Sequence, residues 1–194
     1  MKICILFASP RKDGNTAALL TPFKDQLRSM DHTYTQFDLY DMDILPCLAC
    51  RECQKDRNRP ACIRDDDADM IFHEMLCSDI IVLASPIYAW YCTAPMKALL
   101  DRAVYALNKY YGDRKGPSLW KGKKVAIITT CGYKPEKGAD LFQEGVRRYC
   151  RHSQLGYISM LAERHLGYDT VFIDEAKADH ARSFAREITG GPDV

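Results

Sequence analysis

The stretch Lys2-Ile-Cys-Ile-Leu-Phe7, running into Ala8-Ser9-Pro10-Arg11-Lys12-Asp13-Gly14-Asn15-Thr16, decides how the chain is read. Its first six residues suit a buried strand, and Ala17-Ala18-Leu19-Leu20 just beyond it begin a helical pattern. A strand, a short polar loop and a helix in that order place small and hydroxyl residues where the first helical N–H groups have no partner. An anion held there gains hydrogen bonds and the favourable end of the helix dipole. The loop therefore reads as a phosphate cradle. A plainer reading of the same residues, a turn with Asn15 or Thr16 capping the helix, stays open at this point. The loop has neither the GxGxxG of dinucleotide folds nor the GxxxxGKS/T of nucleotide triphosphatases, which argues against both.

Outward from this loop, residues 15–30 carry Ala18, Leu19, Phe23, Leu27 and Met30 at helical spacing, with Pro22 expected in a first turn that tolerates it. Thr33 to Leu39 alternates and is β-rich, the pattern of an edge strand. Residues 41–65 form an irregular, cysteine-bearing loop with Pro46 and Pro60, long enough to imply a function. Asp65-Asp66-Asp67 precedes an apolar helical run, so these carboxylates read as a helix start matched to the dipole rather than as metal ligands. Ser78 to Ala84 and Val125 to Thr130 are continuous apolar strands of the kind buried on both faces. Helices are expected near 95–105, 140–152 and 174–188, a fifth strand at 155–161 and a turn at 164–168. The chain reads as one domain over residues 1–189, with 190–194 as a tail. Five strands alternating with helices imply a parallel sheet covered on both faces. Ligands of such sheets sit beyond the carboxyl ends of the strands, so loops 9–16, 85–91 and 130–133 are expected to converge.

With 194 residues and 47% hydrophobic content, the chain is long and apolar enough for a sizeable core. Its 27 basic and 26 acidic side chains leave no electrostatic footprint for nucleic acid or an acidic membrane, which favours small-molecule work. No run approaches the ~20 apolar residues of a bilayer span, and no signal-peptide pattern opens the chain, so the expected compartment is the cytoplasm. Nine cysteines, an odd number with several inside apolar segments, suit thiols in a reducing compartment better than a disulfide framework. Cys47, Cys50, Cys53 and Cys62 alone form a cluster. Three thiolates of a CxxCxxC turn completed by a fourth could hold [4Fe–4S] or zinc, while plain thiols or a redox-active pair fit the same spacing.

Four ordered motifs then become recognisable: SPRKDGNT at 9–16, SPIYAW at 85–90, PMKALLDR at 95–102 and GKKVAIITTCG at 122–132. Through them the chain resembles the flavodoxin-like NAD(P)H-dependent FMN reductases over residues 1 to about 135, and only weakly beyond. The resemblance implies a three-layer α/β sandwich with a five-stranded parallel sheet in the order 2-1-3-4-5. By the same resemblance Ser9, Arg11, Gly14, Asn15 and Thr16 hold the FMN phosphate. Pro86, Ile87, Tyr88, Ala89 and Trp90 then lie along the isoalloxazine and ribityl, and Thr130, Cys131 and Gly132 close the far side. The plainer alternative for Tyr88 and Trp90 is core packing, while Lys97 and Arg102 read as solvated or paired structural residues rather than catalytic ones.

The implied activity takes hydride from NAD(P)H through FMN to a flavin, quinone or similar acceptor, with no catalytic side chain named, since the cofactor carries the chemistry. CxxCxxC in this loop also looks like the iron–sulfur flavoproteins, a branch of the family. That gives a second reading: an electron carrier with [4Fe–4S] on Cys47, Cys50, Cys53 and Cys62, although eight residues before the fourth cysteine are more than the branch usually shows. A flavodoxin proper is disfavoured, because the loop lacks its hydroxyl-rich signature and the chain its acidity. A fold that binds no cofactor is the third reading. The partner is expected to be a small-molecule electron acceptor or a redox protein. Aromatic residues between 105 and 120, including Tyr110, Tyr111 and Trp120, suggest a homodimer or homotetramer.

Overall fold

The computed structural model describes residues 1–109, 116–167 and 170–190. Five strands, β1 (Lys2–Phe7), β2 (Thr33–Asp38), β3 (Ile80–Pro86), β4 (Lys124–Cys131) and β5 (Gly156–Arg164), form one sheet in the order β2-β1-β3-β4-β5. All four pairings are parallel, as the alternation with helices requires. The helices are α1 (Asn15–Ser29), α2 (Ala68–Cys77), α3 (Ala94–Ala106), α4 (Pro135–Gly138), α5 (Asp140–Ser153) and α6 (Glu175–Thr189).

Because successive strand residues face opposite sides, the central strands feed two cores at once. Ile3, Ile5 and Phe7 of β1, with Ile80 and Val82 of β3, meet Leu19, Phe23 and Leu27 of α1 and Phe184 and Ile188 of α6. Cys4, Leu6, Ile81 and Leu83 point the other way, toward Phe72 and Met75 of α2, Leu99 of α3 and Phe142 and Val146 of α5. Each such buried side chain contributes about 1.5–3 kcal/mol, so continuous apolar runs win the central positions and the half-buried β2 and β5 take the edges.

Several expectations need correcting. Pro22 sits in the interior of α1, not its first turn, and removes the N–H that would bond the Ala18 carbonyl. The helix persists because Leu19, Leu20, Phe23 and Leu27 are anchored on either side of the break. Trp120 is no surface anchor: it is 1% exposed, packs edge-on against Tyr149 at 5.8 Å, and donates its indole N–H to Asn108 Oδ1 at 2.8 Å. Ser118 Oγ and Ser153 Oγ complete that buried polar knot around Asn108. Tyr110 and Tyr111 lie outside the described residues, as do residue 168 of the expected turn and residues 191–194 of the expected tail. Gly190, placed in the tail by the sequence, closes α6 in a left-handed conformation at φ 73°. The acidic run meets α2 only at its end: the helix begins at Ala68, Asp67 is the residue before it, and Asp66 Oδ1 accepts the Ala68 N–H at 3.2 Å. Among the described residues no helix is long and apolar enough to cross a membrane.

Candidate functional site

The carboxyl ends of β1, β3 and β4 are fastened to one another by buried hydroxyls. Ala8 donates its backbone N–H to Ala84 O at 2.8 Å, and the Ala8 carbonyl accepts from Thr93 Oγ1 at 2.7 Å. Ser85 Oγ accepts from the Thr93 N–H at 3.1 Å and donates to Pro86 O at 2.8 Å, while Thr129 Oγ1 donates to Ser85 O at 2.7 Å. Thr16 and Thr130 share a hydrogen bond at 2.8 Å, and Ile87 N–H reaches Thr130 O at 2.9 Å. Loops 9–16, 85–91 and 130–133 therefore meet, as the strand order demands.

On the first loop, Gly14 is the residue before α1, and no side chain caps that helix. The first turn carries no acidic residue, so its N–H groups and its dipole are left for an outside anion. Ser9 Oγ folds the loop by accepting the Arg11 N–H at 3.2 Å. A Cβ on Gly14 would stand 3.0 Å from Arg11 Cβ and 3.3 Å from Arg11 O, so a side chain there would press on Arg11 and push it outward. Arg11 is exposed at the rim.

The second loop is a two-residue reversal. Tyr88 and Tyr91 exchange backbone hydrogen bonds at 2.9 and 3.0 Å, with Ala89 and Trp90 both left-handed at φ 48° and 62°. Such a turn normally takes Asn-Gly, and two side chains held there store strain of the kind found at ligand sites. Its effect is to lift Trp90 out of the core. Trp90 is 48% exposed, stacks on Tyr133 with ring centres 6.0 Å apart and planes 13° apart, and donates its indole N–H to Lys137 O at 3.1 Å. Tyr88 is likewise half exposed, so neither aromatic is core packing. Ile87, Ala89, Trp90, Cys131, Gly132 and Tyr133 line a cleft whose back wall is α4. Gly138 lets α4 approach, since a Cβ there would meet Cys131 Cβ, Cys131 Sγ and Tyr133 Cβ at 3.2 Å. Burial raises the Cys131 thiol above its ordinary value, against the pull of nearby Arg164, so it stays protonated at neutral pH.

The cysteine loop lies against the later turns of α3. Cys47, Cys50, Cys53 and Cys62 line one pocket with Arg64, Arg102 and Tyr105. The eight residues between Cys53 and Cys62 do not separate them, because the segment is stapled to the end of α3. Gln54 Nε2 donates to the carbonyls of Tyr105 and Asn108, and Arg57 Nη1 to Lys109 O at 3.2 Å. Buried Lys109 donates through Nζ to Cys53 O at 2.6 Å and Pro60 O at 3.3 Å. Ala49, Arg51 and Ala61 are left-handed, at φ 53°, 61° and 52°. Ala49 N–H points at Cys47 Sγ at 3.4 Å, and Arg102 Nη2 at Cys62 Sγ at 3.3 Å. Among the described residues no three Cys, His, Asp or Glu side chains converge on a single metal point; the thiols share the pocket's walls.

Arg102 also forms a fully buried ion pair with Asp66 and donates to Leu45 O at 3.3 Å. Burial works to raise the Asp66 carboxyl. The hydrogen bonds from Arg102 and from the Leu45 and Ala68 N–H groups outweigh it and hold the carboxyl below the usual range. Asp66 therefore ties the cysteine loop to α2 and α3.

The structure brings together Ser9, Arg11, Gly14, Asn15 and Thr16 with Pro86, Ile87, Tyr88, Ala89, Trp90, Thr130, Cys131 and Gly132 at one end of the sheet. Thr130 is tied to the first loop through its hydroxyl contact with Thr16. Sequence reasoning missed Ser85 and Thr129, whose signal was a hydroxyl near a strand end, and Thr93, the residue before α3. It also missed Tyr133, Gly138 and Arg164, whose Nε donates to Gly132 O at 2.9 Å.

An iron–sulfur flavoprotein of Methanosarcina thermophila is 31% identical over 111 residues, covering 57% of this chain and 56% of that protein. An FMN-dependent NADH:quinone oxidoreductase of Stenotrophomonas maltophilia is 28% identical over 138 residues, covering 68% of this chain and 67% of that one. The chain spans just over half the length of the first of these relatives. Among solved structures, an NAD(P)H:quinone oxidoreductase from Methanothermobacter marburgensis superposes with a TM-score of 0.74 at 20% identity, covering 100% of this chain and 99% of that one, which shows the shared fold. Residues 1–153 match the NADPH-dependent FMN reductase family, and the chain belongs to it.

Proposed function

We propose that this chain is an FMN-dependent oxidoreductase that takes hydride from NAD(P)H and reduces a flavin, quinone or similar acceptor. The observation that carries this reading is an uncapped helix N-terminus opening beside a cleft walled by Trp90 and Tyr133. Those residues fit FMN: free N–H groups suit a phosphate dianion, and the aromatic cleft suits a flat ring. Ser9, Arg11, Gly14, Asn15 and Thr16 would hold the phosphate. Pro86, Ile87, Tyr88, Ala89 and Trp90 would flank the ring and ribityl, with Cys131 and Gly132 at the back and Thr130 bracing the cradle. When bound, FMN supplies the hydride and electron chemistry. The chain binds, orients and excludes water, and no side-chain acid or base is assigned. The test is an FMN titration followed by anaerobic addition of NADH or NADPH. Bound flavin that bleaches supports the reading, and protein that takes up no FMN overturns it.

A second reading is an iron–sulfur flavoprotein that relays single electrons from a ferredoxin-like donor through [4Fe–4S] on Cys47, Cys50, Cys53 and Cys62. Its support is one pocket walled by all four thiols, with an N–H or guanidinium already directed at two of them. Iron and acid-labile sulfide measured after oxygen-free isolation separate the readings: cluster stoichiometry favours the carrier, flavin alone the reductase. The proposed compartment is the cytoplasm, where nine thiols stay reduced. A homodimer or homotetramer would cover the exposed Tyr88, Trp90 and Tyr133. Light scattering that gives a monomer removes that part.

A further inference from the structure

Among the described residues two buried side-chain polar atoms have no hydrogen-bond partner, Nε of Arg64 and Nε of Arg102. Both arginines line the pocket shared by the four loop cysteines. Buried guanidinium N–H groups are costly to leave unpaired, and native structures rarely keep them without a purpose. Two at one pocket, beside thiol sulfurs, call for an anionic acceptor there. Arg102 is rigidly held, since Nη1 bonds Asp66 and Leu45 O and Nη2 bonds Cys62 Sγ, which leaves Nε as its spare donor. Lys109, a third buried cation, clamps both ends of the segment between Cys53 and Cys62. The pocket is thus surrounded by positive charge that the surface balance of the chain does not reveal.

We propose that Arg64 and Arg102 donate their Nε–H groups to sulfur atoms of an iron–sulfur cluster on Cys47, Cys50, Cys53 and Cys62, and thereby raise its reduction potential. This rests on the carrier reading of the cysteine loop. Reduction adds one electron, delivered by reduced flavin or a one-electron donor protein, to a cluster–thiolate group that is already negative. No proton moves and no bond of the chain breaks. Hydrogen bonds and positive charge near the sulfurs favour the more negative, reduced state.

The test uses the full chain, isolated without oxygen or reconstituted with iron and sulfide, and follows the cluster potential by EPR-monitored redox titration. Arg64→Leu is the main variant, because Arg64 stands outside the Asp66 ion pair and its loss leaves that buried pair intact. Iron and sulfide content should equal the parent's, while the potential falls by about 59 mV, a tenfold change in the one-electron equilibrium. Arg64→Lys keeps the charge without the fork and should fall between the two. Arg59→Leu, an exposed arginine of the same loop paired with Asp56, should leave the potential unmoved. A fully loaded Arg64→Leu protein with the parent's potential overturns the inference alone. A parent chain that holds no iron overturns the carrier reading and the inference with it, and the metal assay tells the two failures apart.

Discussion

Replacing Arg102 by leucine tests whether the cysteine loop is anchored by charge. The Arg102 and Asp66 side chains are 1% and 0% exposed, so water cannot screen the carboxylate once its partner is gone. Removing one member of a buried pair costs ~3–5 kcal/mol. Asp66 keeps two backbone donors, Leu45 N–H at 3.0 Å and Ala68 N–H at 3.2 Å, which places the loss near the lower bound, at about 3 kcal/mol. For a chain of this size each kcal/mol moves Tm by ~2–4 °C, so Arg102→Leu should melt ~6–12 °C below the parent. Arg148→Ala, which breaks the exposed pair with Glu144, should barely change Tm. Adding Asp66→Asn to Arg102→Leu should recover part of the loss, because the orphaned charge is removed with its partner.

The pH dependence has a definite sign. Asp66 is held below its unfolded pKa of roughly 4, so its contribution is present above that value and is lost as pH falls through the folded pKa. Melts by circular dichroism at neutral pH and in steps toward acid should show the two proteins converging at low pH. A neutral-pH Tm for Arg102→Leu matching that of Arg148→Ala would refute the anchoring argument.

Three further outcomes are expected. Gly14→Ala forces a methyl against Arg11 and opens the cradle, so FMN affinity by fluorescence titration should fall roughly tenfold, about 1.4 kcal/mol, while the fold is kept; unchanged affinity removes loop 9–16 from the site. Ala89→Gly relieves a left-handed residue that costs ~1–2 kcal/mol against glycine's entropy of ~0.5–1 kcal/mol, so Tm should rise by one to a few degrees, and a fall would show that the turn is unstrained. In alkylation read by mass spectrometry, exposed Cys50 and Cys77 should react first. Cys92 and Cys150, buried and pushed up to about 12, should react only after unfolding, and early labelling of either contradicts the packing.

What the sequence made legible follows from period and run length. Lys2–Phe7, Ser78–Ala84 and Val125–Thr130 announce central strands because a strand buried on both faces needs an unbroken apolar run, and three such strands force their following loops to one end. What stayed hidden depends on partners far away in sequence. Asp66 looked like a helix start, since neighbours within a turn are all that local reasoning weighs, yet its partner lies thirty-six positions on. Trp120 looked like surface because glycines and charges surround it, while the knot that buries it draws on Asn108, Ser118 and Ser153. Ala89-Trp90 carried no turn signal, and the strain that exposes Trp90 is visible only in its backbone.

The cysteine loop joins these two levels. CxxCxxC spacing alone allows a cluster, zinc or plain thiols, for each needs little more than three sulfurs on one turn. The surroundings show how the loop is held: Arg102 is buried by its pair with Asp66, and Lys109 by its bonds to the Cys53 and Pro60 carbonyls. Those contacts fold the loop whichever of the three it serves, so the iron and sulfide content of the parent chain decides among them.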